Sequence, residues 1–211
     1  MKKKLQQNAR KKDPRGRLGS AGKPKRLPAR LQKFDQTIVL LGLMGAGKTT
    51  VGRRLAKVLG LPFVDSDHEI EAAANMTVSE IFESYGEDEF RSGERRVIKR
   101  LLEDGAPKVM ATGGGAFLNG ETRALIKDKA LSVWLNVDVE LLVERTSKRD
   151  TRPLLRGGDP REILTKLAEE RYPIYAKADI AVESSKGMHT EVVSDIIDVL
   201  NEHMKQSEEE K

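Results

Sequence analysis

Residues Ile38-Val39-Leu40-Leu41-Gly42-Leu43-Met44-Gly45-Ala46-Gly47-Lys48-Thr49-Thr50 decide the fold. The four apolar residues read as a buried strand. Glycines 42, 45 and 47 read as a loop that curls its N–H groups inward around an anion, and the residues from Val51 to Leu59 as a helix whose positive end adds to that attraction. The Lys48 ammonium is placed to reach the outer phosphates of a nucleoside triphosphate, and the Thr49 hydroxyl to ligate the accompanying Mg²⁺. A glycine-rich loop can carry this spacing by chance, but strand before and helix after are the context a P-loop requires. The motif leaves the phosphate acceptor open.

Outward from it, short apolar runs alternate with helical patterns from Gln36 onward, the signature of parallel strands joined by crossover helices. The predicted strands are 37–41, 62–65, 108–112, 131–136 and 180–182. Between them Val51, Leu55, Val58 and Leu59 share one helix face, Val97, Ile98, Leu101 and Leu102 a second, and Val193, Ile196, Ile197 and Leu200 a third. Thr77-Val78-Ser79-Glu80 before Ile81 resembles a capping box and is expected to start a short helix. The reading is one α/β domain, a five-stranded parallel sheet flanked by helices in three layers, because 211 residues leave little for a second domain. Ligands of such sheets bind beyond the carboxyl ends of the strands.

The remaining polar motifs fall at those ends. Asp65-Ser66-Asp67 sets two carboxylates past the second strand, one suited to the metal's water shell and the other to a second substrate; helix capping accounts for one of them. Arg91 and Glu94 stand three apart on a helix, so that the acid can lock the guanidinium as a fork for a carboxylate, although a surface salt bridge has the same spacing. Thr112-Gly113-Gly114-Gly115 follows the third strand, and three glycines there imply that something approaches the backbone closely, a small ligand's ring being one candidate. Ser147 to Arg161, with Lys148, Arg149, Arg152 and Arg156 beside Pro153, Leu154 and Leu155, reads as a mobile lid that brings Arg152 onto the transferring group. Arg171, near a helix end, is a further candidate anion ligand. Histidines 68, 189 and 203 have no metal-ligand spacing and read as incidental.

Charge divides the chain. Residues 1–34 hold 13 of the 38 basic residues and one Asp, net +12, whereas 35–211 carry net −7. With scattered Gly and Pro and few large apolar residues, 1–34 is predicted to be a disordered extension. The domain is then 35–203, and 204–211 a flexible acidic tail. A passive extension or an over-extended start is favoured over contact with nucleic acid through the tail. No apolar stretch follows the N-terminal lysines as a secretory signal requires, and none is long enough to span a bilayer. The absence of cysteine excludes a disulfide scaffold, a thiolate metal site and a cysteine nucleophile, and fits a cytoplasmic chain.

With these motifs in order, the chain resembles the shikimate kinases from about Thr37 to Leu200. The P-loop with Thr50-Val51-Gly52-Arg53, Asp65-Ser66-Asp67, Phe90-Arg91 with Glu94, Gly113-Gly114-Gly115-Ala116, Arg152-Pro153-Leu154-Leu155, and Arg171-Tyr172-Pro173 with Tyr175 all match. The resemblance implies a P-loop kinase that transfers the ATP γ-phosphate to the 3-hydroxyl of shikimate, a step toward chorismate and the aromatic amino acids. By position it implies that Gly45, Ala46, Gly47, Lys48, Thr49 and Thr50 bind ATP, that Thr49 ligates Mg²⁺, and that Asp65 orients the metal through water. Asp67 would bind the accepting hydroxyl as base or aligner. Arg91 and Arg171 would clamp the shikimate carboxylate, Gly114 and Gly115 line the ring, and Glu94 hold Arg91. Arg152 would close on the phosphates with the lid. Lys48, Mg²⁺ and Arg152 would supply most of the charge neutralisation. Thr49 stands where Ser is more usual, which keeps the metal-binding hydroxyl, and 184–187, in the region expected to contact adenine, is too variable to assign. A monomer is expected. The rivals are a gluconate-type kinase sharing the fold, and an ATP-binding module whose basic tail contacts nucleic acid.

Overall fold

Strand β1, Thr37–Leu41, is buried along its whole length, and the sheet grows from it on both sides. In the computed structural model, which describes residues 27–147, 158–184 and 189–209, four more strands join it: β2 (Phe63–Asp65), β3 (Val109–Ala111), β4 (Ala130–Val137) and β5 (Ile180–Ser184). Their order is β2-β3-β1-β4-β5 and every pairing is parallel. All five lie where the apolar runs predict them, with ends shifted by one or two residues. Register is fixed by facing apolar residues, Val39 against Met110 on one side and against Ser132 on the other. Ser132 is the polar exception at the centre, satisfied by Asp179, which accepts from both its amide and its hydroxyl.

Helices cover both faces, because an all-parallel sheet must bury both. On one side α1 (Lys48–Leu59) and α7 (His189–Glu209) pack together. On the other, α4 (Gly120–Lys129) lies on β4 and α3 (Val78–Glu103) packs on α4. Helix α2 (Ser66–Ala74) packs on α3, and α5 (Val139–Thr146) on α6 (Pro160–Tyr175). Gly52 lets α1 settle on the sheet, since a Cβ there would lie 2.6 Å from the Phe63 ring. The capping box forms as predicted: Glu80 N donates to Thr77 Oγ1 at 3.2 Å and Thr77 N to the Glu80 carboxylate at 2.7 Å. The helix it starts is not short, however. It runs 26 residues with a break at Gly86, whose φ of 79° and ψ of 177° leave the helical region.

Three boundaries differ from expectation. Residues 27–34, assigned to the disordered extension, include a 3-10 helix at Ala29–Lys33 that packs on α7 with Leu31 fully buried and Phe34 7% exposed. The expected flexible tail from 204 is helical to Glu209, with Met204 against the core and Glu208 accepting from Arg30 at 2.9 Å. Pro160 and Arg161, assigned to the lid, open α6: Asp159 caps it by accepting from Arg161 N, and Pro160 occupies the first turn, where a missing N–H costs nothing. Among the described residues no helix is long and apolar enough to cross a membrane.

Leu31→Ala is expected to cost about 2–4 kcal/mol in urea unfolding, the range for emptying a filled core site. Deletion through residue 34 is expected to cost at least as much, whereas Val58→Ala, on a residue 45% exposed, should stay within about 0.5 kcal/mol.

Candidate active site

The loop between β1 and α1 turns on three glycines with φ of 140°, 84° and 92° at 42, 45 and 47. Each lies in the left-handed region that a side chain disfavours. Lys48 opens α1 and crosses back over the loop, its Nζ donating to the carbonyls of Gly42 at 2.7 Å and Leu43 at 3.0 Å. Ala46 is buried in the turn, and Thr50 stands exposed one residue beyond Thr49. The loop is walled by Thr146 and Leu142 of α5, the Thr146 methyl lying 3.0 Å from where a Cβ on Gly45 would stand.

Thr49 and Asp65 come together across the sheet end, Thr49 Oγ1 donating to Asp65 Oδ2 at 2.8 Å. The other oxygen, Oδ1, accepts from Asp67 N at 3.2 Å and caps α2. Capping and a place beside Thr49 are alternatives in the sequence and are combined in one carboxylate. The cap also fixes the first turn of α2, which carries Asp67. Burial raises the Asp67 pKa, the Asp65 charge adds to the rise, and Lys48 opposes it.

Arg91, Glu94 and Arg171 converge on the exit of β3. Arg91 Nη1 donates to Glu94 Oε2 at 2.8 Å, while its Nε and Nη2 donate to Glu87 Oε1 at 3.2 and 3.0 Å. Glu94 is 2% exposed, and this burial raises its pKa against the pull of Arg91. The pair is therefore no ordinary surface salt bridge. The glycines are filled by the protein's own side chains: a Cβ on Gly113 would lie 2.5 Å from Glu94 Oε1 and 3.0 Å from Asp67 Oδ1, on Gly114 3.4 Å from Arg171 Nη1, and on Gly115 2.3 Å from Arg91 Cζ. Gly113 N also donates to Ser66 Oγ at 3.3 Å, which ties this turn to the start of α2.

Asp67 Oδ1, Glu94 Oε1 and Arg171 Nε are buried without a hydrogen-bond partner among the described residues. A buried unpaired polar atom costs about 1–3 kcal/mol, so three of them around one short turn mark a place built for a polar ligand. Two acids and two guanidinia here suit a small molecule carrying a carboxylate and hydroxyls, next to a loop suited to phosphates.

Arg152 and residues 148–157 of the expected lid lie outside the described residues, as do 185–188. Every other predicted site residue falls on the carboxyl rim of the sheet. Sequence reading missed Glu87, although a Glu four residues before an Arg on a helix is a legible signal. It also missed Tyr175, whose hydroxyl donates to the Gly114 carbonyl. His189, read as incidental, opens α7 with its Nε2 beside Gly47; no local pattern joins residues so far apart in sequence. His68 lies 3.9 Å from Glu71.

A family model described as shikimate kinase matches residues 44–201. A shikimate kinase of Caulobacter vibrioides (strain NA1000 / CB15N) is 60% identical over 167 residues, covering 79% of this chain and 83% of its own. The structure of a shikimate kinase from Acinetobacter baumannii in complex with shikimate is 38% identical with a TM-score of 0.78, covering 82% of this chain and 97% of its own. A gluconokinase from Sinorhizobium meliloti, 20% identical with a TM-score of 0.56 over 82% of this chain and 98% of its own, shares the fold alone.

Gly115→Ala is expected to lose about 1–3 kcal/mol in urea unfolding, because the Arg91 guanidinium must move. Gly120→Ala, where the new Cβ meets only Arg123 Nη2 at 3.9 Å, should lose nothing measurable. Tyr172 and Tyr175 are pushed up to about 12 by burial. A phenol whose pKa is raised on folding contributes stability that is whole below its unfolded value near 10 and is lost as pH climbs toward 12. An alkaline absorbance titration is expected to show Tyr172 and Tyr175 ionising late, with stability falling over that window.

Proposed function

The chain belongs to the shikimate kinase family, and we propose that it transfers the γ-phosphoryl group of ATP to the 3-hydroxyl of shikimate, yielding shikimate 3-phosphate and ADP for aromatic amino acid biosynthesis. The observation that carries this reading is the convergence of Asp67, Arg91 and Arg171 on Gly113–Gly115 beside the phosphate loop. A gluconate-type acceptor also offers a carboxylate and hydroxyls, but a chain 60% identical to a shikimate kinase and only 20% identical to a gluconokinase favours the shikimate assignment.

In this reading Gly45, Ala46, Gly47, Lys48, Thr49 and Thr50 hold the ATP phosphates through loop amides, the helix end and the Lys48 ammonium. Arg91 and Arg171 grip the acceptor carboxylate, Glu94 and Glu87 fix the Arg91 fork, and the ring lies along Gly114 and Gly115. The accepting oxygen forms its bond to the γ-phosphorus as the bond to the β-bridging oxygen breaks. Asp67, its pKa raised, is suited to align the hydroxyl and take its proton. Arg152, outside the described residues, is assigned to the phosphates by the family resemblance alone. Thr49 and, through water, Asp65 would hold Mg²⁺. Their hard oxygens fit a hard dication that takes its remaining ligands from phosphates and water, and the ion would neutralise phosphate charge. Among the described residues no cluster of three His, Cys, Asp or Glu could hold a metal by itself. The same reading includes a cytoplasmic monomer and a basic extension, 1–34, that is a passenger in turnover.

A coupled assay offering shikimate, quinate and gluconate separately tests the reading. Turnover with shikimate alone is expected; phosphorylation of gluconate with shikimate untouched would overturn it. Asp67→Ala is expected to lower kcat by roughly 10²–10⁴-fold, and near-normal turnover would remove its role. Arg91→Lys should raise the KM for shikimate about tenfold with kcat nearly unchanged, since a point charge replaces a bidentate fork.

A further inference from the structure

Helix α6 reaches the acceptor site through its last turn and a half, where three aromatic rings seat it. Trp134 of β4 lies with ring centroids 5.2 Å from Tyr172 and 6.0 Å from Tyr175. The Tyr172 hydroxyl donates to the Val137 carbonyl at the end of β4. Tyr175 is 1% exposed, and its hydroxyl does something different: it donates to the Gly114 carbonyl, with the Arg171 guanidinium one helical turn earlier brought to the same point. A Cβ on Gly114 would lie 3.4 Å from Arg171 Nη1 and 3.6 Å from that same hydroxyl oxygen. Backbone, guanidinium and phenol thus meet at one point, with Gly114 leaving the room. Arg171 is itself 8% exposed, with Nε unpaired and buried beside the site.

A phenol has one proton to give and lone pairs to accept with. Here the proton is used on Gly114, which leaves a lone pair for the guanidinium beside it. Arg171 is long and rotamer-rich, and holding it in one orientation before a ligand arrives removes part of the ordering cost of binding. We propose that Tyr175 is a positioning residue of the acceptor clamp: its hydroxyl sets the Arg171 fork against the Gly114 turn, so that the acceptor carboxylate meets a guanidinium already in place. The inference rests on the proposed acceptor chemistry and adds to it a residue that touches neither phosphate nor acceptor.

Tyr175→Phe keeps the ring and removes only the hydroxyl. Loss of one such hydrogen bond is expected to raise the KM for shikimate, and its Kd in a calorimetric titration, roughly three- to tenfold. The kcat and the KM for ATP should stay within about twofold of wild type. Combined with Arg171→Lys, Tyr175→Phe should add almost nothing to the loss that Arg171→Lys causes alone. Equal loss in kcat or ATP affinity, fully additive losses in the double variant, or no change in shikimate binding would overturn the proposal. So would an equal loss in Tyr172→Phe, because removing either hydroxyl would then act through the seating of α6. Titrating the folded variant directly keeps the result readable even if its unfolding midpoint drops. A wild-type protein that fails to phosphorylate shikimate refutes the proposed function instead, a result distinct from an active wild type indifferent to Tyr175→Phe.

Discussion

The site depends on a steric constraint at the end of β3. Four charged side chains must reach one short turn, and ordinary residues there would fill the space they need. Gly113 admits Glu94 and Asp67, Gly114 admits Arg171 and Tyr175, and Gly115 admits the Arg91 guanidinium. The turn is therefore also a mould around which the protein's own acids and guanidinia assemble. Once assembled, they are close enough for burial to raise both Asp67 and Glu94 while Arg91 and Lys48 hold the total charge in check. Asp65 adds a second join, because capping α2 and accepting from Thr49 link the phosphate loop to the helix that carries Asp67.

The sheet order explains the division of labour. β1 is central, and its exit carries the loop proposed to hold phosphate. The acceptor groups after β2 and β3 lie on one side of it, and α5 and the start of α7, after β4 and β5, lie on the other. A phosphoryl group passing in line between two oxygens needs donor and acceptor on opposite sides of itself, and the loop stands between two such sides. Arg171 is the exception. It belongs to α6, beyond β4, and reaches back to Gly114 because the Trp134–Tyr172–Tyr175 cluster seats its helix there.

What could be read in advance follows from where each signal lies. The three central strands were legible because burial on both faces demands unbroken apolar runs, the edge strands β2 and β5 as short apolar stretches beside helical patterns, and the P-loop because its spacing is local. The triple glycine was legible as a close approach, but not as an approach by protein side chains, since the partners come from α2, α3 and α6. The segment before β1 was misread for a different reason. Leu27, Leu31 and Phe34 are spaced four and three apart, a helical stripe, yet the scattered Gly and Pro and the scarcity of large apolar residues across 1–34 argued for disorder. Composition averages over a window and hides three well-placed apolar residues. The C-terminal end was misread in the same way, its acidic run masking Met204, which packs on the core, and Glu208, which pairs with Arg30.

That last contact has a topological consequence. Arg30 and Glu208 are 178 positions apart in sequence, yet their guanidinium and carboxylate touch, so the first and last described elements are neighbours in space. The fold is close to a ring. A short linker joining these ends would leave the core uncut, and new ends could be opened in a surface turn such as the one after α1 at Gly60. Chains with adjacent ends tolerate such circular permutation, and here the permuted protein would keep the phosphate loop and the glycine turn on unbroken segments. The order of elements along the chain would then be separable from the arrangement that binds.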